Sequence, residues 1–265
     1  MLLDPINAIT SVNFYRRIVA QSAARTFSYL LYVSLLFSIA STAALKVRVG
    51  PEIDKTFAWL AQSMPTVTLQ AGKVTSSAAG PVTVRHPDIS EIAVTVDTAR
   101  VEPVNADTLE SSKVLAYLTG SALYVRGAQG RVEVYDLSKA VTPKPVVIDA
   151  AFYQSAARLL SRFLYPLAFV FGFFFVMMWK TGASLIYALL ALMINAMAEG
   201  GQPFNCLFNL AVYAQTLVIA LQAVFLFTPV SPPAFPVIAL ISTGVYLWLA
   251  LKRLKQSPAA PPAAA

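Results

Sequence analysis

Apolar positions in this chain follow two different patterns. Thr26 to Leu45, TFSYLLYVSLLFSIASTAAL, is twenty residues without a charge, long enough to cross roughly 30 Å of hydrocarbon as a helix. Phe163–Trp179 and Thr181–Ala198 are also uncharged, on either side of Lys180, and Gly200 to Leu251 has no charged residue over fifty-two positions. That last stretch exceeds one span, and Pro229, Pro232, Pro233 and Pro236 divide it into Phe208–Phe227 and Phe235–Leu251. The pattern predicts five transmembrane helices, one before a polar insert and four after it.

Inside the insert the period changes. Phe57, Leu60, Ala61 and Met64 fall at helical spacing and stop at Pro65, which predicts a short amphipathic helix. Period-2 alternation then predicts strands at Thr66–Gln70, Lys73–Ser76, Val82–Arg85, Ile92–Val96, Leu123–Arg126 and Val132–Asp136, the last two joined through Gly127-Ala128-Gln129-Gly130. About 100 residues can bury a modest core of their own. The fold class expected is a membrane all-α helical bundle of about five transmembrane helices with an inserted β-rich α+β extramembrane domain. Its parts are an amphipathic leader (1–25), a first transmembrane helix (26–45), the β-rich domain (46–157), a four-helix transmembrane region (158–251) and a disordered tail (252–265), whose QSPAAPPAAA has linker composition.

In the leader, Asp4 is placed to cap a helix with Pro5 at its first position. Phe14, Tyr15 and Ile18 beside Arg16 and Arg17 suit either a helix lying on the membrane surface or a solvated collar. Ser41-Thr42-Ala43 would suit signal cleavage, but the basic leader and the run itself are long for a signal peptide, so an uncleaved anchor is expected.

Charge sharpens this division. The chain is 57% hydrophobic and 12% charged, about half the charge of an ordinary soluble domain. Eleven basic and eleven acidic residues balance between Lys46 and Gln154, while the rest holds nine Lys/Arg against Asp4 and Glu199, which accounts for the net +7. Because that excess flanks apolar runs, it points to anionic headgroups and topology rather than to nucleic acid. The one cysteine, Cys206, excludes an intramolecular disulfide and a thiolate-rich metal site. His86, followed by Pro87, reads as a turn residue.

No phosphate loop, dinucleotide fingerprint, zinc-protease motif or nucleophile elbow is present. Asp97, Asp107, Glu110, Glu133 and Asp136 read as surface charge. No catalytic residue, cofactor site or metal site is expected, and the chain is not expected to be an enzyme. The candidate polar set lies in the later spans. Asn195, Glu199 and Gln202 share one helical face if the helix continues that far, Asn205 and Asn209 are four apart, and Gln215 and Gln222 are seven apart. Such groups are costly in lipid unless paired, although Asn and Gln also simply join helices. Glu199, before Gly200-Gly201, is expected at a helix end near headgroups.

Three stretches carry a family resemblance. SVNFYRRIVAQSAARTFSYLLYVSLL, MPTVTLQAGKVTSSAAGPVTV and FNLAVYAQTLVIAL resemble the opening segment, the start of the extracytoplasmic part and a late span of a bacterial domain-of-unknown-function family of integral membrane proteins. That family includes the maltodextrin-utilisation membrane protein of Gram-positive bacteria. Leu217 stands where its late span commonly has Pro, so no kink is inferred there. The four rear spans also resemble, distantly, the Yip-type five-span fold of vesicle-traffic proteins. The resemblance implies a multi-pass protein of the bacterial inner membrane with a cytoplasmic N-terminus and the β-rich domain outside. Arg16, Arg17, Arg25 and Lys180 then fall inside, as the positive-inside rule prefers. With five spans, Arg158, Arg162, Lys252, Arg253 and Lys255 fall outside, against it. The function expected is that of an accessory or sensing component displaying its β-rich domain to a membrane or envelope protein partner, with homo-oligomers allowed. The alternative is a small transporter or channel subunit using the polar set.

Overall fold

The structure, a computed structural model, describes residues 2–89, 92–127, 131–140, 144–228 and 232–255. The chain divides into two units, Met1–Val47 with Leu164–Ala265, and Arg48–Phe163. Its helices are α1 (Asp4–Thr10), α2 (Tyr15–Val19), α3 (Ala23–Ser63), α4 (Ala106–Ser111), α5 (Ala150–Met197), α6 (Phe204–Ala214), α7 (Thr216–Phe225) and α8 (Phe235–Lys255), with a 3-10 turn at Val12–Phe14 before α2.

Among the described residues, four helical stretches are long and apolar enough to cross a membrane: α3, α5, α6 with α7, and α8. Five were expected. The difference lies at Lys180, where Phe163–Trp179 and Thr181–Ala198 form one uninterrupted helix within α5. A helical hairpin needs a loop of about two to five residues, and none separates these runs. Thr181 and Ser184 instead return their hydroxyls to the carbonyls of Met177 and Lys180, one turn back, at 2.8 and 2.7 Å. The apolar length from Phe163 to Met197 is about 52 Å at 1.5 Å per residue, well beyond the ~30 Å of a hydrocarbon core.

The leader is not a solvated collar: its apolar face turns into the helical unit. Phe14, Tyr15 and Ile18 are buried in one cluster with Tyr29, Leu207, Leu210, Tyr213, Leu247 and Ala250. Their apolar face closes the end of the bundle, which shields more area from water than an exposed collar would. Asp4 is not the cap either: Leu3 takes that position without a side-chain bond, and Asp4 lies 3.9 Å from Arg25.

The second unit holds two sheets. β1 (Val67–Gln70), β2 (Lys73–Ser76) and β8 (Val146–Ile148) form an antiparallel sheet in the order β2-β1-β8. The other has the order β3-β4-β5-β6-β7, built from Val82–Arg85, Ala93–Val96, Ala116–Leu118, Ala122–Arg126 and Val132–Asp136. Only β4 and β5 pair in parallel there, and α4 lies in the crossover between them. The six expected strands are present. The two-residue Gly120-Ser121 turn before β6 is the signal that would have revealed β5.

The expected amphipathic helix before Pro65 is the distal part of α3, which continues through Pro51. The turn between β1 and β2 has Ala71 at φ 49° and Gly72 at φ 77°, and a Cβ on Gly72 would strike the Ser138 carbonyl. Val67, Val74 and Val96 form one small core, and Ala93, Val104, Leu109, Val114 and Tyr117 form another. His86 is a turn residue: its Nδ1 accepts the backbone N–H groups of Asp88 and Ile89, and Trp59 packs edge-on against its ring.

Candidate functional site

The polar residues of the helical unit build a line that starts where the leader meets α3. Thr26 Oγ1 donates to Asn209 Oδ1 at 2.7 Å, and Asn209 Nδ2 donates to the Gln21 carbonyl at 3.0 Å. One turn along α6, Tyr213 donates its hydroxyl to Gln21 Oε1 at 2.9 Å while its ring stacks on Tyr29 at 3.8 Å. The Tyr29 hydroxyl pairs with Thr216 Oγ1 at 2.7 Å. Tyr15, in the leader, donates to the Ala8 carbonyl, and burial holds its phenol protonated far above the ordinary range. These groups lock the leader and α3 onto α6.

Between α6 and α7 the helical ladder is interrupted at one residue, Gln215, which keeps right-handed helical angles, and no proline is involved. Gln215 Nε2 donates to the Ala211 carbonyl at 3.2 Å, and Thr216 Oγ1 donates to the Tyr213 carbonyl at 2.6 Å. Side chains thus bond carbonyls that the backbone ladder normally uses, which bends helices. The interruption lies about 17 Å along the helix from Phe204, near the middle of the Phe204–Phe225 stretch. Gln215 also donates to Ser184 Oγ at 2.8 Å, and one turn from Ser184 the Lys180 ammonium donates to Gln222 Oε1 at 2.7 Å. Lys180 is 6% exposed.

The structure therefore brings the buried Asn209 and Gln215 and the half-buried Gln222 into one line and places the other candidates at the bundle end. The face expected through Asn195, Glu199 and Gln202 does not continue, because α5 stops at Met197. Asn195 is buried and turns back to donate to the carbonyls of Gly200 and Gln202 at 2.9 and 3.4 Å. Gln202 is half-buried, while Asn205 and Glu199 are exposed. Glu199 sits at φ 51°, with its N–H on the Ala196 carbonyl and that of Gly200 on the Asn195 carbonyl, the paired bonds of a Schellman stop. A side chain at Gly200 would collide with the Asn195 amide. Glu199→Gly removes the left-handed strain, so it should stabilise the chain in detergent by about 0.5–1 kcal/mol, read as a higher unfolding midpoint. A lower midpoint would show that the carboxylate itself contributes.

A protein family described as "protein of unknown function (DUF1189)" matches residues 6–251. The chain belongs to that family. No curated protein and no solved structure matches it.

In this DUF1189 chain, Lys180 is the residue that sequence reading missed. It was read only as a topology charge between two spans and left out of the polar set, although the absence of any loop-forming residues before it was the available signal. The line around it offers hydroxyl and amide groups beside one lysine amine. That chemistry suits joining helices or orienting a polar or anionic group.

In the β-rich unit the carboxylates take neighbouring donors. Asp97 accepts from Tyr117 and Glu133 from Tyr135. The Ser138 hydroxyl and then Lys139 hold the Asp136 carboxyl below its ordinary range.

Proposed function

We propose that this DUF1189 chain is a non-enzymatic accessory or sensing component of the bacterial inner membrane that presents its β-rich unit to a protein partner. One observation carries the reading. The chain passes between its units inside two helices, α3 and α5, and each has an internal proline close to the passage, Pro51 and Pro166. Continuous helix resists stretching, and a proline marks where it bends. Such connections suit passing a load on the β-rich unit into the helical unit.

The orientation proposed is N-terminus inside. Arg16 donates to the Arg253 carbonyl at 3.5 Å, so Arg16, Arg17 and Arg25 share an end with Lys252, Arg253 and Lys255. Four crossings return both chain ends to one side, which removes most of the conflict that five crossings create. Lys46, Arg48, Arg158 and Arg162 stay opposite. A reporter fused after Lys144 is expected to work only if it is one active outside the cytoplasm, and activity of a cytoplasm-only reporter there would reverse the orientation.

Mild-detergent extraction followed by mass spectrometry tests the role, with one protein expected in constant ratio to the chain. The second reading, a small transporter, is favoured by the interruption at Gln215 beside Lys180, since interrupted spans line solute sites. Solute flux through proteoliposomes holding the chain alone, with no partner retained, would replace the first reading by the second.

A further inference from the structure

We propose that the groove between the C-terminal ends of α5 and α8 binds an anionic phospholipid, with the phosphate on Lys252 and Lys255 and an acyl chain against Trp248. The groove encloses about 380 Å³ and is lined by Ile194, Ala198, Trp248, Leu251, Lys252 and Lys255. Trp248, Lys252 and Lys255 lie at i, i+4 and i+7, one face of α8. Along that face the wall is apolar deeper in the span and doubly cationic in the final turn. This is the order of groups in a phospholipid, tail within and phosphate at the surface.

The two ammonium groups have no carboxylate within 4 Å among the described residues. Lys252 Nζ lies 4.9 Å from the Trp248 ring centroid, and Lys255 Nζ donates to the Ala198 carbonyl at 2.8 Å. A ring face and one carbonyl leave further donors on each ammonium, since each carries three. Two effects oppose an anion here. The C-terminal carbonyls of α5 and α8 present about half a negative charge each, and Glu199 is next in the chain to Ala198. Two full ammonium charges in the groove outweigh the two half charges. Glu199 is exposed and is not part of the groove wall. Arg16, brought to this end of the bundle through the Arg253 carbonyl, adds a third cation nearby. The apolar wall argues for a lipid over free phosphate, because phosphate alone would leave Ile194, Trp248 and Leu251 uncovered. Basic pockets between spans at the cytoplasmic face recognise anionic headgroups by this chemistry. The inference needs the helical unit in a bilayer and does not need the accessory role.

The test uses the full chain in a neutral detergent, titrated with phosphatidylglycerol or phosphatidylcholine while bound lipid is counted by native mass spectrometry. Phosphatidylglycerol should bind in preference to phosphatidylcholine. Lys252→Gln with Lys255→Gln should weaken phosphatidylglycerol roughly thirtyfold, about fivefold per lysine, and weaken phosphatidylcholine less, because choline offsets the charge of its phosphate. Trp248→Ser, which keeps both charges, should weaken both lipids, and it decides the matter if the double variant does not fold. Inorganic phosphate should not compete. Equal loss in Arg17→Gln with Arg25→Gln, at the same end but outside the groove wall, would assign the preference to diffuse surface charge and overturn the site. Competition by inorganic phosphate, or full retention in the lysine variant, would overturn it as well.

Discussion

Lys180→Met is expected to stabilise the helical unit, raising its unfolding midpoint in detergent by a few degrees. A lysine inside a span costs about 2.5–3.5 kcal/mol, and its one hydrogen bond, to the neutral Gln222 amide, returns about 1.5–3 kcal/mol. Met has similar length and no charge, so the net gain is about 1 kcal/mol, or 2–4 °C for a chain of this size. Gln222→Leu should act in the opposite direction, lowering stability by about 2 kcal/mol, because it leaves the buried ammonium without that acceptor. Opposite signs are the signature of a charge kept at a cost. If both variants lose stability, the ammonium is a net contributor and the line around it is a structural joint. A stabilised Lys180→Met chain that loses its physiological effect would favour the transporter reading, since transport needs the charge and folding does not.

Asn209→Leu should destabilise the same unit by about 1–3 kcal/mol. Asn209 is 3% exposed and serves two partners at once, accepting from Thr26 and donating to the Gln21 carbonyl. Leucine fills similar space but satisfies neither. Thr26 can turn to a carbonyl of its own helix, whereas the Gln21 carbonyl loses its Asn209 donor at the joint between leader and bundle. Trypsin should then cut sooner after Arg16, Arg17 or Arg25 than in the parent chain. Unchanged cleavage and an unchanged midpoint would mean that Phe14, Tyr15 and Ile18 hold the leader by apolar contact alone.

The residues that misled or escaped a linear reading share one property: their partners lie far away in the chain. Phe14, Tyr15 and Ile18 look like a surface stripe until Leu207, Tyr213 and Leu247 are brought over them. β8 is three residues long, and its pairing with β1 closes a loop of more than seventy residues, which no local period announces. Asn209 and Gln215 were recognisable as polar groups in a span, but their role depends on Thr26, Gln21 and Ser184 on other helices.

What the sequence by itself determined is whatever depends on nearest neighbours. The change from uncharged runs to period-2 alternation marked the two kinds of unit, and strands such as β2, β3 and β7 followed from it residue for residue, because pleating puts alternate side chains on opposite faces. Only the tertiary structure decided that Lys180 stays inside one helix, that Gln215 interrupts the ladder of another without a proline, and that the basic ends of α2 and α8 meet. Each of these is a choice between hydrogen-bond or packing partners many residues apart, and the energy difference exists only once the helices are side by side.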